Sequence, residues 1–132
     1  MALAGGCLCG AVRFTVAGPL SAPVACHRVQ CRKGSGHHTA STTAARTGVA
    51  ITGVPRWFAL KAGVRRGFCA DCGAALFWES AREPDMLSIE LGAVEGPTGL
   101  SLAGHMYVAE KGDYYDLADG LPASPGEWEE EA

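Results

Sequence analysis

Apolar residues in this chain come in short runs, and where they alternate with polar ones the period is two. Val12, Phe14 and Val16 alternate with Arg13, Thr15 and Ala17, and Leu87, Ile89 and Leu91 alternate with Ser88 and Glu90. That is the signature of strands buried on one face. Strand-length segments bounded by glycine, proline or polar residues recur at 11–17, 23–26, 47–52, 56–60, 65–69, 74–79, 86–91 and 105–108. Thr39 to Arg46 is the one tempting helix, but it lacks an apolar face and its Thr and Ser side chains compete for backbone hydrogen bonds; it reads as loop or weak strand. The pattern predicts an all-β protein.

The 132 residues are the size of one domain, and 48% of them are apolar, enough for a core. Eighteen glycines and seven prolines cut that apolar content into pieces and imply many turns. The expected organisation is a single domain over 1–122 followed by an acidic, mobile tail over 123–132. Residues 113 to 132 hold seven carboxylates and no lysine or arginine, so the net charge of −3 leaves the preceding 112 residues at +4 by difference. Such a body suits small anionic ligands; with no basic stripe interleaved with aromatics, nucleic acid is not an expected partner. No apolar run is long enough to span a bilayer and no basic leader precedes an apolar stretch, so a soluble, cytoplasmic protein is expected. The oligomeric state is not legible.

Six cysteines in such a chain read as metal ligands or reactive thiols rather than disulfides. Cys7 and Cys9 lie in Gly-Gly-Cys-Leu-Cys-Gly, where flanking glycines let the backbone bend two thiolates toward one ion. Cys69 and Cys72 lie in Phe-Cys-Ala-Asp-Cys-Gly, a turn whose glycine frees the backbone to point amides at sulfur. Together they predict a tetrahedral four-thiolate cage for a structural zinc, closing a loop of about 60 residues.

Three stretches, Gly6-Cys7-Leu8-Cys9-Gly10-Ala11-Val12-Arg13-Phe14, Cys26-His27-Arg28-Val29-Gln30-Cys31-Arg32-Lys33 and Phe68-Cys69-Ala70-Asp71-Cys72-Gly73, carry a wider resemblance. His105-Met106-Tyr107-Val108, Lys111, Tyr115 and Asp119-Gly120-Leu121-Pro122 agree with it. The chain resembles the glutathione-dependent formaldehyde-activating enzyme family, which also includes centromere protein V. The resemblance implies a β-tent fold, one structural zinc on the C-x-C and C-x-x-C pairs, and a second, catalytic zinc on a C-x-C-x-x-C loop. It also implies a carbon-sulfur lyase acting on the S-hydroxymethyl adduct of glutathione and formaldehyde, or on a related adduct of a thiol and a carbonyl compound.

This chain departs from the pattern at the second site, because the family's middle cysteine falls at position 28, where it has arginine. Cys26 and Cys31, the candidate catalytic residues, remain as candidate ligands of the second zinc. Two thiolates hold zinc weakly, and a guanidinium beside a divalent cation repels it. His27, His37, His38 or glutathione's own thiolate are candidates to complete the site, although His37 and His38 also read as solvated loop residues and His105 as a hydrogen-bonded core histidine. Arg28, Arg32 and Lys33 are the candidate clamp for the carboxylates of glutathione. Trp57, Phe58, Phe77 and Trp78 read as core rather than pocket. Two other readings stay open: a glutathione- or anion-binding module that has lost the second zinc, and a protein interaction domain on the same scaffold.

Overall fold

The computed structural model describes residues 2–128; the last glutamates of the expected tail lie outside them. Ten strands carry the fold: β1 Leu3–Gly6, β2 Arg13–Val16, β3 Val24–Cys26, β4 Thr39–Ala45, β5 Val49–Thr52, β6 Arg56–Lys61, β7 Val64–Phe68, β8 Ala75–Ser80, β9 Met86–Glu90 and β10 Gly104–Met106. Among the described residues one α-helix, α1 Val29–Ser35, and three single 3-10 turns accompany them. The all-β expectation holds.

The chain forms two compact units, one built from the chain up to Ser21 with Thr42–Gly99, the other from Ala22–Ser41 with the chain from Leu100 onward. In the first unit β2 is the centre of an antiparallel trio with β1 and β5. Arg13 and Thr15 face out while Phe14 and Val16 face in, as the alternation requires. β6 to β9 form an antiparallel meander, β6 pairing β7, β7 pairing β8 and β8 pairing β9.

The core of this unit gathers Val12, Phe14, Val16, Ala44, Leu76, Phe77, Leu87 and Ile89, with Cys7 and Cys69 in the same cluster. The Phe14 and Phe77 rings meet edge to face at 5.4 Å, and Trp57 stacks on Phe77 at 6.1 Å. Each fully buried Leu, Ile or Phe of this kind contributes about 1.5–3 kcal/mol over an exposed one. Of the four aromatics read as core, Phe77 is buried and Trp57 packs against the cluster, but Phe58 is 54% exposed.

In the second unit β3 runs antiparallel to the first residues of β4 and parallel to β10. The segment after β10 folds back along it: the His105 amide donates to the Pro122 carbonyl, the Ser124 amide to the His105 carbonyl and the Tyr107 amide to the Gly126 carbonyl. The first residues of the predicted mobile tail, up to Trp128, therefore line β10, with Trp128 so close to Gly104 that a Cβ there would meet its ring at 2.3 Å. Among the described residues no helix is long and apolar enough to cross a membrane.

Candidate functional site

Both halves of the four-cysteine motif are the same backbone device. The Cys7 amide donates to the Val12 carbonyl and the Cys69 amide to the Ala74 carbonyl, each five residues on. Gly10 and Gly73 turn the two loops at φ 83° and 77°, a left-handed conformation that costs a side-chain-bearing residue energy. The turns aim amides at sulfur: Val12 N to Cys7 Sγ is 3.3 Å and Cys72 N to Cys69 Sγ 3.5 Å.

The four sulfurs thereby meet, all within 4.8 Å of one another, with Cys7–Cys9 at 3.6 Å and Cys9–Cys69 at 3.7 Å. The Val12 amide pulls the Cys7 thiol down to about 6, helped by the neighbouring sulfurs. Cys9 receives the Ala11 amide, yet the crowding of Cys7, burial and the other two sulfurs hold it up at about 12. Four thiols so close cannot all ionise alone; a divalent cation at their centre removes the conflict. The donor set fits a metal ion, and among the described residues it is the one group of three or more His, Cys, Asp or Glu side chains placed to hold one.

Cys26, Cys31 and their neighbours lie in the second unit. Cys26 ends β3, fully buried, and its register partner across the ladder is Thr39. Cys31 sits in the first turn of α1, partly exposed. Cys26 and Cys31 share a hydrogen bond between their side chains, and the Thr39 side chain also bonds Cys31. The bond from Cys26 lowers the Cys31 thiol to about 7, against burial and with help from Thr39 and the Arg28 charge. The same contact, with burial, pushes Cys26 strongly upward. The pair therefore gives up its first proton more readily than its second.

The cations around it have distinct environments. Arg28 precedes α1 and lays its guanidinium over the Tyr107 ring at 4.4 Å. Tyr107 holds a left-handed φ of 55°, a strained choice for a bulky residue. The start of α1 is capped from a distance, Val29 N donating to Glu110 Oε1 at 3.1 Å. Arg32 carries a buried Nε with no hydrogen-bond partner among the described residues, whereas Lys33 is exposed.

The histidines are where sequence reasoning saw least. His27 is wholly buried, with Nδ1 bonded to the Tyr115 hydroxyl and Nε2 to His105 Nδ1 at 2.9 Å. His105 Nε2 in turn bonds Asp119 Oδ2 at 2.7 Å. Both nitrogens of both rings are spent, so neither His27 nor His105 has a lone pair for a metal. Burial, then the charges of His38, His105, His37 and Lys111, lower His27 to about 4 and keep it neutral. His38 packs tilted against His27 at 4.7 Å, and His37 meets Tyr115 edge to face at 4.4 Å. His105 is the hydrogen-bonded core residue that its strand position suggested; the role of Tyr115 and Asp119 had no signal beyond their place in the closing segment.

A family model described as glutathione-dependent formaldehyde-activating enzyme matches residues 2–110. The crystal structure of a Rhodobacter sphaeroides protein is similar in fold, at 21% identity, with a TM-score of 0.63 over 78% of this chain and 99% of that one. A comparison with curated proteins finds no match.

Proposed function

As this chain belongs to the glutathione-dependent formaldehyde-activating enzyme family, we propose that it joins or releases glutathione and formaldehyde as the S-hydroxymethyl adduct, a carbon-sulfur lyase reaction, at the Cys26–Cys31 pair. The observation that carries this reading is the buried, unpartnered Nε of Arg32, next in the chain to a sulfur lowered to about 7. A guanidinium nitrogen out of water without an acceptor is costly, and a ligand carboxylate is the acceptor that suits it best. Glutathione brings two carboxylates and a thiol; Arg32 takes one carboxylate, and Arg28 and Lys33 supply further positive charge.

Zinc is the ion that suits the four-thiolate site, where it acts as a staple with no open position for a substrate. The second, catalytic zinc implied by the family does not fit the residues present, since Cys26 and Cys31 have Arg28 where a third thiolate would stand and the nearby His27 and His105 nitrogens are occupied. The chemistry then falls to the chain's own groups. The Cys31 thiolate takes the proton of the incoming thiol, the freed sulfur attacks the aldehyde carbon, and the carbonyl π bond opens onto oxygen, which takes a proton from a neighbouring O–H donor as the carbon-sulfur bond forms; solvent later receives the proton from Cys31 and restores that of the donor.

Arg28 favours a second reading, a module that binds glutathione without turnover. Exchange spectroscopy with carbon-13 formaldehyde and glutathione separates the two. The lyase reading requires faster exchange with the wild type, lost by roughly 100-fold in Cys31→Ser. Glutathione binding with no acceleration of exchange would leave the binding module, and no binding would sink both.

A further inference from the structure

We propose that Tyr115, His27, His105 and Asp119 form one proton-transfer chain whose direction is set at Asp119 and delivered at the Tyr115 hydroxyl, where it serves the adduct's oxygen. The inference rests on the reaction proposed above but is read first without it. Its basis is a continuous path: Tyr115 hydroxyl to His27 Nδ1, His27 Nε2 to His105 Nδ1 at 2.9 Å, His105 Nε2 to Asp119 Oδ2 at 2.7 Å. Both imidazoles are buried, His27 at 0% and His105 at 3% exposure.

The tautomers follow from the end that cannot donate. Asp119 Oδ1 already accepts the Leu121 amide at 3.0 Å, and that bond, with the contact from His105, keeps the carboxyl ionised. An ionised carboxylate accepts only, so His105 carries a proton on Nε2, and in the neutral ring Nδ1 is bare. His27 must then donate from Nε2 and accept at Nδ1, so the Tyr115 hydroxyl donates into His27. The phenol oxygen keeps its lone pairs for a ligand, at a residue partly exposed, where burial and Tyr114 hold the phenol protonated against the pull of the Arg32 charge. His37 and His38 pack on Tyr115 and His27, and Lys111 Nζ lies 4.4 Å from the Tyr115 ring centre.

In the releasing direction the adduct's hydroxyl proton moves to the Tyr115 oxygen as the carbon-sulfur bond breaks, giving formaldehyde and a glutathione thiolate. The phenol proton passes to His27 Nδ1, the His27 Nε2 proton to His105 Nδ1, and the His105 Nε2 proton to Asp119, whose side chain is 42% exposed and can shed it to water. Tyr115 is the group that touches substrate; the other three are positioning residues.

The test is nitrogen-15 NMR of the full, labelled chain, which reads each imidazole tautomer directly. In the wild type at pH 7 both His27 and His105 should show Nε2 protonated and Nδ1 bare; the opposite tautomer at either ring overturns the proposal. In Asp119→Asn the Leu121 amide still claims the side-chain oxygen, so the amide nitrogen faces His105 and donates. Both rings should switch to Nδ1–H, although His27 does not touch residue 119. A His27 tautomer unmoved in that variant shows the rings are uncoupled. Tyr115→Phe keeps Asp119 and should keep Nε2–H on both rings; a switch there would place control at the wrong end. For function, Tyr115→Phe should lower the exchange rate about 100-fold with glutathione affinity unchanged. The expected tautomers with an undiminished Tyr115→Phe rate would overturn the transfer role, whereas a wild type inactive in exchange would count against the lyase reading and leave the tautomer result to judge the chain.

Discussion

Around Cys7, Cys9, Cys69 and Cys72 the partners of sulfur are other sulfurs and backbone amides, held by two turns that differ little in design. Around Cys26 and Cys31 the partners are a hydroxyl, a guanidinium and each other, with a closed chain of imidazoles in the same unit. The difference teaches what each arrangement can do. Four converging thiols with no hydrogen-bond donor strong enough to neutralise them call for a cation. Two bonded thiols that share one ionisation beside positive charge need no cation to balance them.

The comparison breaks first if the metal is not structural. Cys69→Ser should strip the ion from the first site and destabilise the fold by at least about 3 kcal/mol, seen as a lower midpoint in thermal or urea unfolding. Cys31→Ser should keep the ion and shift that midpoint by less than about 1 kcal/mol while abolishing the reactive thiol. Alkylation of the Cys31 thiol followed against pH should report a midpoint of about 7.

Stability against pH comes next in size. His27 is lowered to about 4 from its ordinary 6.5, chiefly by burial, so the unfolded chain binds its proton first as pH falls. Stability should be fully present above pH 6.5 and drop progressively as pH falls through 4, by on the order of 3 kcal/mol for this group. His27→Gln should flatten that part of the profile. A slope unchanged by the substitution would mean that His27 is not held neutral.

A finer probe sorts the clamp. Arg32→Ala should weaken glutathione about 10-fold in calorimetry, because its buried Nε has no partner among the described residues, and Lys33→Ala, exposed, less than about 2-fold. Equal losses at the two positions would reduce the clamp to diffuse charge. The smallest effect expected is at the surface: Arg13→Ala, which breaks an exposed pair with Glu95 at 2.7 Å, should cost less than about 1 kcal/mol.

Much of this was legible in the residues. The period-two alternation located β2 and β9 with their inward faces, and short apolar runs marked six further strands to within a few residues. The C-x-C and C-x-x-C-G spacings named the four sulfurs that meet, because a short glycine-flanked turn leaves a thiolate few directions to point. β1 went unseen, since Leu3–Gly6 is half glycine and pairs through its backbone, a property no side chain advertises. α1 was missed for a related reason: at seven residues with no buried position it has no apolar face to read, and its cap, Glu110, comes from 81 residues away. The histidine chain was hidden because its four members, at 27, 105, 115 and 119, meet only when β3 and β10 align in register.

The most direct measurement is metal content per chain, by native mass spectrometry of the reduced protein and of Cys72→Ser and Cys31→Ser. One zinc in the wild type, lost with Cys72→Ser and kept with Cys31→Ser, is the predicted result. Two zincs in the wild type, or a zinc that departs with Cys31→Ser, would contradict the division of labour between the two cysteine sites.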